Sequence, residues 1–381
     1  MKGFLNASVL IGKDIVVTNV GIENGKIVAI GSDIEISQPF EIPNSAIVLP
    51  GFIDQHVHGA GGSDAMDKNA SAIATISKSL AMEGTTSFLA TTMTQSPENI
   101  KGALSAVKDY INLNDSQGAR VLGVHLEGPF ISPKFVGAQP LEYVQAPSVE
   151  TFKEYEKASG NNIKIVSLAP EIDGAKELIK YLKERNIVPS IGHTGAKYSD
   201  IEKGIEYGLS NVTHTYNAQT ALHHREVGVV GSAMLFDELN AEIICDTIHV
   251  CPPAIRLLVK NKPHTKVTLI TDAMRAKNLP DGESELGGQK VFVKNGEARL
   301  LDGTLAGSVL KMNIAIKNMV EKVGVNFVDA VSFATINPAK NLGVDKEYGS
   351  IEVGKHADFA VLDDDYNVLL TVRDENIIYK A

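Results

Sequence analysis

Apolar and polar positions change their rhythm twice along this chain. Up to about residue 48, apolar residues come in short runs, Ser8-Val9-Leu10-Ile11, Asp14-Ile15-Val16-Val17 and Lys26-Ile27-Val28-Ala29-Ile30, with polar turns between them. Such runs predict strands, and Glu23-Asn24-Gly25-Lys26 predicts a tight hairpin because Asn-Gly tolerates the positive φ angles that a two-residue turn requires. From Pro50 the texture differs: apolar runs ending in polar residues alternate with helical stretches such as Ala70 to Met82 and Ala175 to Lys183, as in repeated β-α units. Strand rhythm then returns in Gln289 to Val293 and Ala298 to Leu300 around Asn295-Gly296, a second hairpin signal. A helical stretch over Lys311 to Lys322 follows, and the tail from Gly349 reads as strand again.

Eight apolar runs occupy the middle of the chain: Gly51 to Asp54, Thr86 to Ala90, Val121 to Glu127, Ile163 to Leu168, Ile187 to His193, Asn211 to His214, Glu242 to His249, and Val267 to Asp272. Eight parallel strands with intervening helices close a (β/α)₈ TIM-type barrel, whose active sites lie at the carboxyl ends of the strands. The fold expected is therefore an α/β barrel over residues 50–344 with a β-hairpin insertion near 287–302. Residues 1–49 and 345–381 are expected to form one small β-sandwich domain from both termini.

Composition narrows the function classes. Apolar residues make up 44% and charged residues 22% of the 381 positions, which suits a folded globular chain. The formal net charge of −10 argues against general attraction to nucleic acid or to an anionic membrane, so an anionic ligand would need dedicated donors. The residues after Met1 lack a signal peptide's apolar run, and no stretch is long and apolar enough to predict a membrane span. Two cysteines, Cys245 and Cys251, are too few for a disulfide framework and fit ordinary packing in a cytoplasmic protein.

Candidate chemistry gathers at the run ends. His56 and His58 are two apart and share one side of a strand, a spacing that suits a metal pair but also occurs on half-buried strands. Glu127, His193, His214 and Asp272 end four further runs. Imidazoles and carboxylates together suit a divalent metal such as zinc, iron, manganese or cobalt.

The segments Pro50 to Gly59, His125-Leu126-Glu127-Gly128-Pro129-Phe130, Gly192-His193-Thr194, Thr213 to Ala218, Ile270 to Met274 and Asp302-Gly303-Thr304-Leu305-Ala306-Gly307-Ser308 resemble the N-acetylglucosamine-6-phosphate deacetylases of the amidohydrolase superfamily. The likeness covers essentially the whole chain. It implies that Glu127, His193 and His214 bind the principal metal, that His56 and His58 imply a second, and hence one or two divalent ions per subunit. It further implies Asp272 as the acid-base residue and His249 as a donor to the substrate. Substrate contacts are implied at Ala138, at Asn217 and Ala218, and in the Leu305, Ala306 and Gly307 loop, with Arg225 as a phosphate donor in a homodimer. The expected ligand is a phosphorylated amino sugar, with no nucleic acid or membrane partner. Some relatives carry a histidine in the loop where this chain has Gly137-Ala138-Gln139-Pro140, so no histidine contact is expected there. A deacetylase of another sugar epimer, a hydrolase of a cyclic amide or an aminopurine, and a non-catalytic barrel are the rival readings.

Overall fold

A computed structural model describes residues 1–381. The eight runs form one parallel sheet in chain order, with strands Phe52–Val57, Thr85–Thr92, Arg120–Glu127, Ile163–Leu168, Val188–Ile191, Asn211–Val212, Asn240–Ile244 and Val267–Ile270. The sheet closes on itself beyond its last strand. Val57 bridges Ala273 in parallel, the Asp272 N–H donates to the His56 carbonyl at 2.9 Å, and the His58 N–H donates to the Ala273 carbonyl at 2.8 Å. Every residue of the first two strands is buried, as expected of parallel strands covered on both faces.

The covering helices follow from their spacing. In Ala175–Glu184 the buried residues are Ala175, Leu178, Ile179 and Leu182, one stripe at helical period facing the sheet. The helix Ala70–Ala81 starts where the Asn69 side chain accepts from the Ala72 N–H, satisfying a free donor of the first turn. The stretch expected as one helix from Lys311 is Met312–Asn318 followed by a π-helical turn, Met319–Val323.

One expectation is corrected and one is extended. The seventh strand ends at Ile244, not at His249: the Asp246 carboxylate accepts from the Ile248 and His249 N–H groups, and Thr247 has φ +67°, so the chain turns although its residues look strand-like. The insertion contains the expected hairpin, Gln289–Lys294 with Glu297–Leu300, and adds a third antiparallel strand before it, Gly282–Leu286, paired with Gln289–Lys294. That extra strand, Gly-Glu-Ser-Glu-Leu, has one apolar position, Leu286, whose burial gives it a role in the small core with Met93 and Val291.

The strands of both chain ends build a separate eight-stranded sheet, which folds over its own core of residues such as Phe4, Val20, Phe359 and Val372. The Asn24-Gly25 turn has φ of +51° and +74°, and Asn295-Gly296 has +53° and +81°, as the hairpin signals required. Arg120, at the start of the third barrel strand, clasps this sheet. It donates to Asp358 at 2.6 Å and to Asp374, and its guanidinium lies 4.9 Å from the Tyr348 ring centre. One strand thus ties the terminal sheet at one end and carries Glu127 at the other. No helix is long and apolar enough to cross a membrane.

Candidate metal centre

The barrel delivers its polar side chains to one end by a recurring device. His193, His214 and Asp272 each stand two residues beyond a strand and have φ of +47°, +30° and +48°. A left-handed backbone at residues that are not glycine costs of order 1–3 kcal/mol each and persists where surroundings enforce it. Here it turns the side chains from the strand direction towards a common centre. Gly59, beside His58, admits another backbone: a Cβ on it would lie 2.4 Å from the Ser63 carbonyl oxygen and 2.8 Å from the Arg275 nitrogen.

At that centre the Glu127 carboxylate is ringed by four imidazoles. Its Oε1 lies 3.2 Å from His193 Nε2, 3.0 Å from His214 Nε2 and 3.5 Å from His56 Nε2, and its Oε2 lies 3.3 Å from His58 Nε2. Asp272 Oδ1 stands 3.5 Å from His56 Nε2 and 3.2 Å from His58 Nε2. The far ring nitrogens are anchored: His193 Nδ1 donates to the Phe135 carbonyl at 2.9 Å, His58 Nδ1 to the Thr91 carbonyl at 3.2 Å, and His56 Nδ1 to Glu242 at 3.3 Å. Those anchors place the ring protons on Nδ1 and leave the three Nε2 lone pairs facing the carboxylates.

Where no ion lies between them, the carboxylates draw protons towards these rings instead. Burial alone would push Glu127 upward, but the charge of His56 and the hydrogen bonds of His193, His214 and His58 hold it well below the usual carboxylate range. Burial is outweighed at Asp272 too, where His56 and His58 bring the carboxyl down to about 2. Burial opposes a charge on His56, yet Asp272, Glu127 and Glu242 raise it to about 9. The cluster therefore attracts positive charge strongly, whether a proton or an ion.

The residues fit a divalent metal. His193 Nε2 and His214 Nε2 lie 3.1 Å apart beside a carboxylate, and His56 Nε2 is buried without a hydrogen-bond partner. Electron-rich atoms meeting this closely are the donor set of a cation. Two trios can hold one, Glu127 with His193 and His214, and His56 with His58 and Asp272. A third grouping, His56 with His125 and Glu242, has no free ligand on His125, whose Nδ1 donates to the Gln55 carbonyl at 3.1 Å and whose Nε2 accepts from Ser167 at 2.7 Å.

Above the cluster lies a cavity of about 250 Å³. Ala138, Asn217, Ala218, His249, Leu305 and Gly307 line it. Ala306 is fully buried behind that wall, and Arg225 stands exposed outside the lining, its Nη1 2.6 Å from His224 Nε2. Three further residues escaped sequence reasoning. Gln139 donates to Glu127 Oε2 at 2.7 Å and accepts from the Thr94 N–H at 2.6 Å. Asp246 accepts from His249 Nδ1 at 2.6 Å, and Glu242 underlies the floor. Glu242 had a readable signal, an acid within the otherwise apolar run Ala241 to Cys245; Gln139 and Asp246 had none.

Fold and site together define a barrel hydrolase of the metal-dependent kind. The chain belongs to the amidohydrolase family, whose model matches residues 47–378. It is 44% identical over 365 residues to N-acetylglucosamine-6-phosphate deacetylase of Bacillus subtilis, covering 94% of this chain and 92% of that one. The crystal structure of the Pasteurella multocida N-acetylglucosamine-6-phosphate deacetylase superposes with a TM-score of 0.93 at 31% identity, covering 99% of both chains. A variant of the Mycobacterium smegmatis enzyme, solved in complex with N-acetyl-D-glucosamine-6-phosphate, superposes with a TM-score of 0.93 at 28% identity over 100% of both chains.

His249 provides a test of the pocket wall. Burial disfavours its protonation, but the Asp246 carboxylate outweighs burial and raises its pKa above the usual histidine value. Asp246→Asn removes the charge and leaves the burial, so the pKa of His249 should fall, followed through its ring protons by NMR. An unchanged titration would mean that Asp246 does not control this ring.

Proposed function

We propose that this chain hydrolyses the acetamide of N-acetyl-D-glucosamine 6-phosphate to D-glucosamine 6-phosphate and acetate, a step of amino-sugar catabolism and recycling. The observation that carries this is the Glu127 cluster at the floor of a small-molecule cavity with Asp272 and His249 on its walls, in a chain 44% identical to a deacetylase of that name. Glu127, His193 and His214 would hold the principal divalent ion, and His56, His58 and Asp272 a second, giving one or two ions of zinc, iron, manganese or cobalt per subunit. Such an ion, when bound, supplies Lewis acidity at the amide carbonyl and lowers the pKa of water to about 7.

The remaining steps fall to side chains. Asp272, ionised at neutral pH, accepts the proton of the attacking water and returns it to the nitrogen, because an amine cannot leave as an anion. His249, its Nδ1 held by Asp246, presents Nε2 to the cavity and donates to the oxygen on which negative charge develops. Main-chain groups of Ala138, Asn217 and Ala218 and the Leu305 to Gly307 loop orient the sugar. Arg225, with a planar fork matched to phosphate, reaches the pocket of a neighbouring subunit in a homodimer. This chain works in the cytoplasm, with residues 1–49 and 345–381 as the small domain beside the 50–344 barrel.

Two substitutions test the reading. Asp272→Asn should cut acetate release by about 10²–10⁴-fold, measured with the 6-phosphates of both N-acetylglucosamine and N-acetylgalactosamine; retained activity removes Asp272 from the proton path. Arg225→Ala should raise KM for the phosphorylated sugar and leave any turnover of unphosphorylated N-acetylglucosamine unaltered. An unchanged KM for the phosphorylated sugar would rule out Arg225 as the phosphate donor.

A further inference from the structure

Beneath the cluster, the carboxylate of Glu242 is fully buried in the seventh barrel strand. Its Oε1 accepts from Gln55 Nε2 at 2.7 Å and Asn211 Nδ2 at 3.0 Å; its Oε2 accepts from His56 Nδ1 at 3.3 Å and the His214 N–H at 3.2 Å. Four donors converge on a group that only accepts when ionised, so its lone pairs are fully used. Oε2 touches both trios, through the ring of His56 in one and the backbone of His214, held at φ +30°, in the other.

We infer that Glu242 is a positioning residue that orients His56, fixing its proton on Nδ1 so that Nε2 is presented to the ion site formed with His58 and Asp272. Without an anionic acceptor below it, the ring could take the opposite tautomer, with a proton on the atom that must coordinate. No other contact supplies an acceptor for Nδ1: Glu127 and Asp272 stand 3.5 Å from Nε2 and draw a proton to that atom, and His125, its ring centre 4.5 Å away, has both nitrogens committed elsewhere. A carboxylate behind a ligating imidazole fixes ring orientation and raises ligand basicity, and its loss weakens metal binding by about 10–100-fold. Glutamine at 242 is nearly isosteric but accepts on one oxygen only, so one of the two donor pairs loses its acceptor.

This inference rests on the proposed second ion, and the experiment separates the two. Metal-stripped protein is titrated with zinc, and bound zinc per chain is measured for the parent, Glu242→Gln, His56→Asn and the double variant. Expected are two zinc per chain in the parent, one class weakened about 10–100-fold in Glu242→Gln, and no added loss from Glu242→Gln once His56 is gone. A parent that saturates at one zinc overturns the second-ion reading, and this inference with it. Two zinc bound equally well by parent and Glu242→Gln overturns the role of Glu242 alone, as does equal weakening of both classes. Should Glu242→Gln fail to fold, the zinc-loaded parent still decides by ¹⁵N NMR: His56 must coordinate through Nε2 and keep a proton on Nδ1, and the opposite arrangement overturns the inference.

Discussion

The structure turns on one buried carboxylate. Glu127 sits in a place where a lone negative charge would cost several kcal/mol, and four imidazoles surround it at 3.0–3.5 Å. Neutral histidines do not balance two acidic groups, Glu127 and Asp272, in so small a volume. A cation does. Much of the surrounding structure serves that arrangement: the left-handed backbones of His193, His214 and Asp272 aim the ligands, and Phe135, Thr91 and Glu242 hold the back of three rings.

The barrel makes such a centre possible because strands far apart in chain order converge only around a closed sheet. Glu127 and His214 are 87 residues apart yet lie in contact. Closure itself is made within the site, since the bonds joining the first strand to the segment after the last involve His56, His58, Asp272 and Ala273. Loosening that seam would move both His56 and Asp272, so stability and the geometry of the centre are bound together here. The clasp of Arg120 on Asp358 and Asp374 extends the dependence to the terminal sheet through the strand that carries Glu127.

Much of this was legible from residues alone. Eight apolar runs, six of them ending in His, Glu or Asp, announce a barrel with chemistry at one end, because burial on both faces and polarity at the tip leave a distinct pattern. What stayed hidden has physical reasons. The turn at Asp246 is made by a side chain capping two backbone donors, and the stretch from Glu242 to His249 reads as strand until that bond is known. The extra strand Gly282–Leu286 has too few apolar positions to show a period of two. Gln139 reaches Glu127 from a loop whose path no local pattern encodes, and Arg225 stands outside the cavity in the single chain.

The central claim is that the cluster around Glu127 exists to hold a divalent ion on which hydrolysis depends. The direct measurement is the metal content per chain of protein purified without chelator, read beside the rate of acetate release from N-acetylglucosamine 6-phosphate before stripping, after stripping and after the metal is restored. The account predicts one or two divalent ions per chain, loss of acetate release with the metal, and its return on reloading. Protein free of metal that releases acetate at the full rate would contradict it.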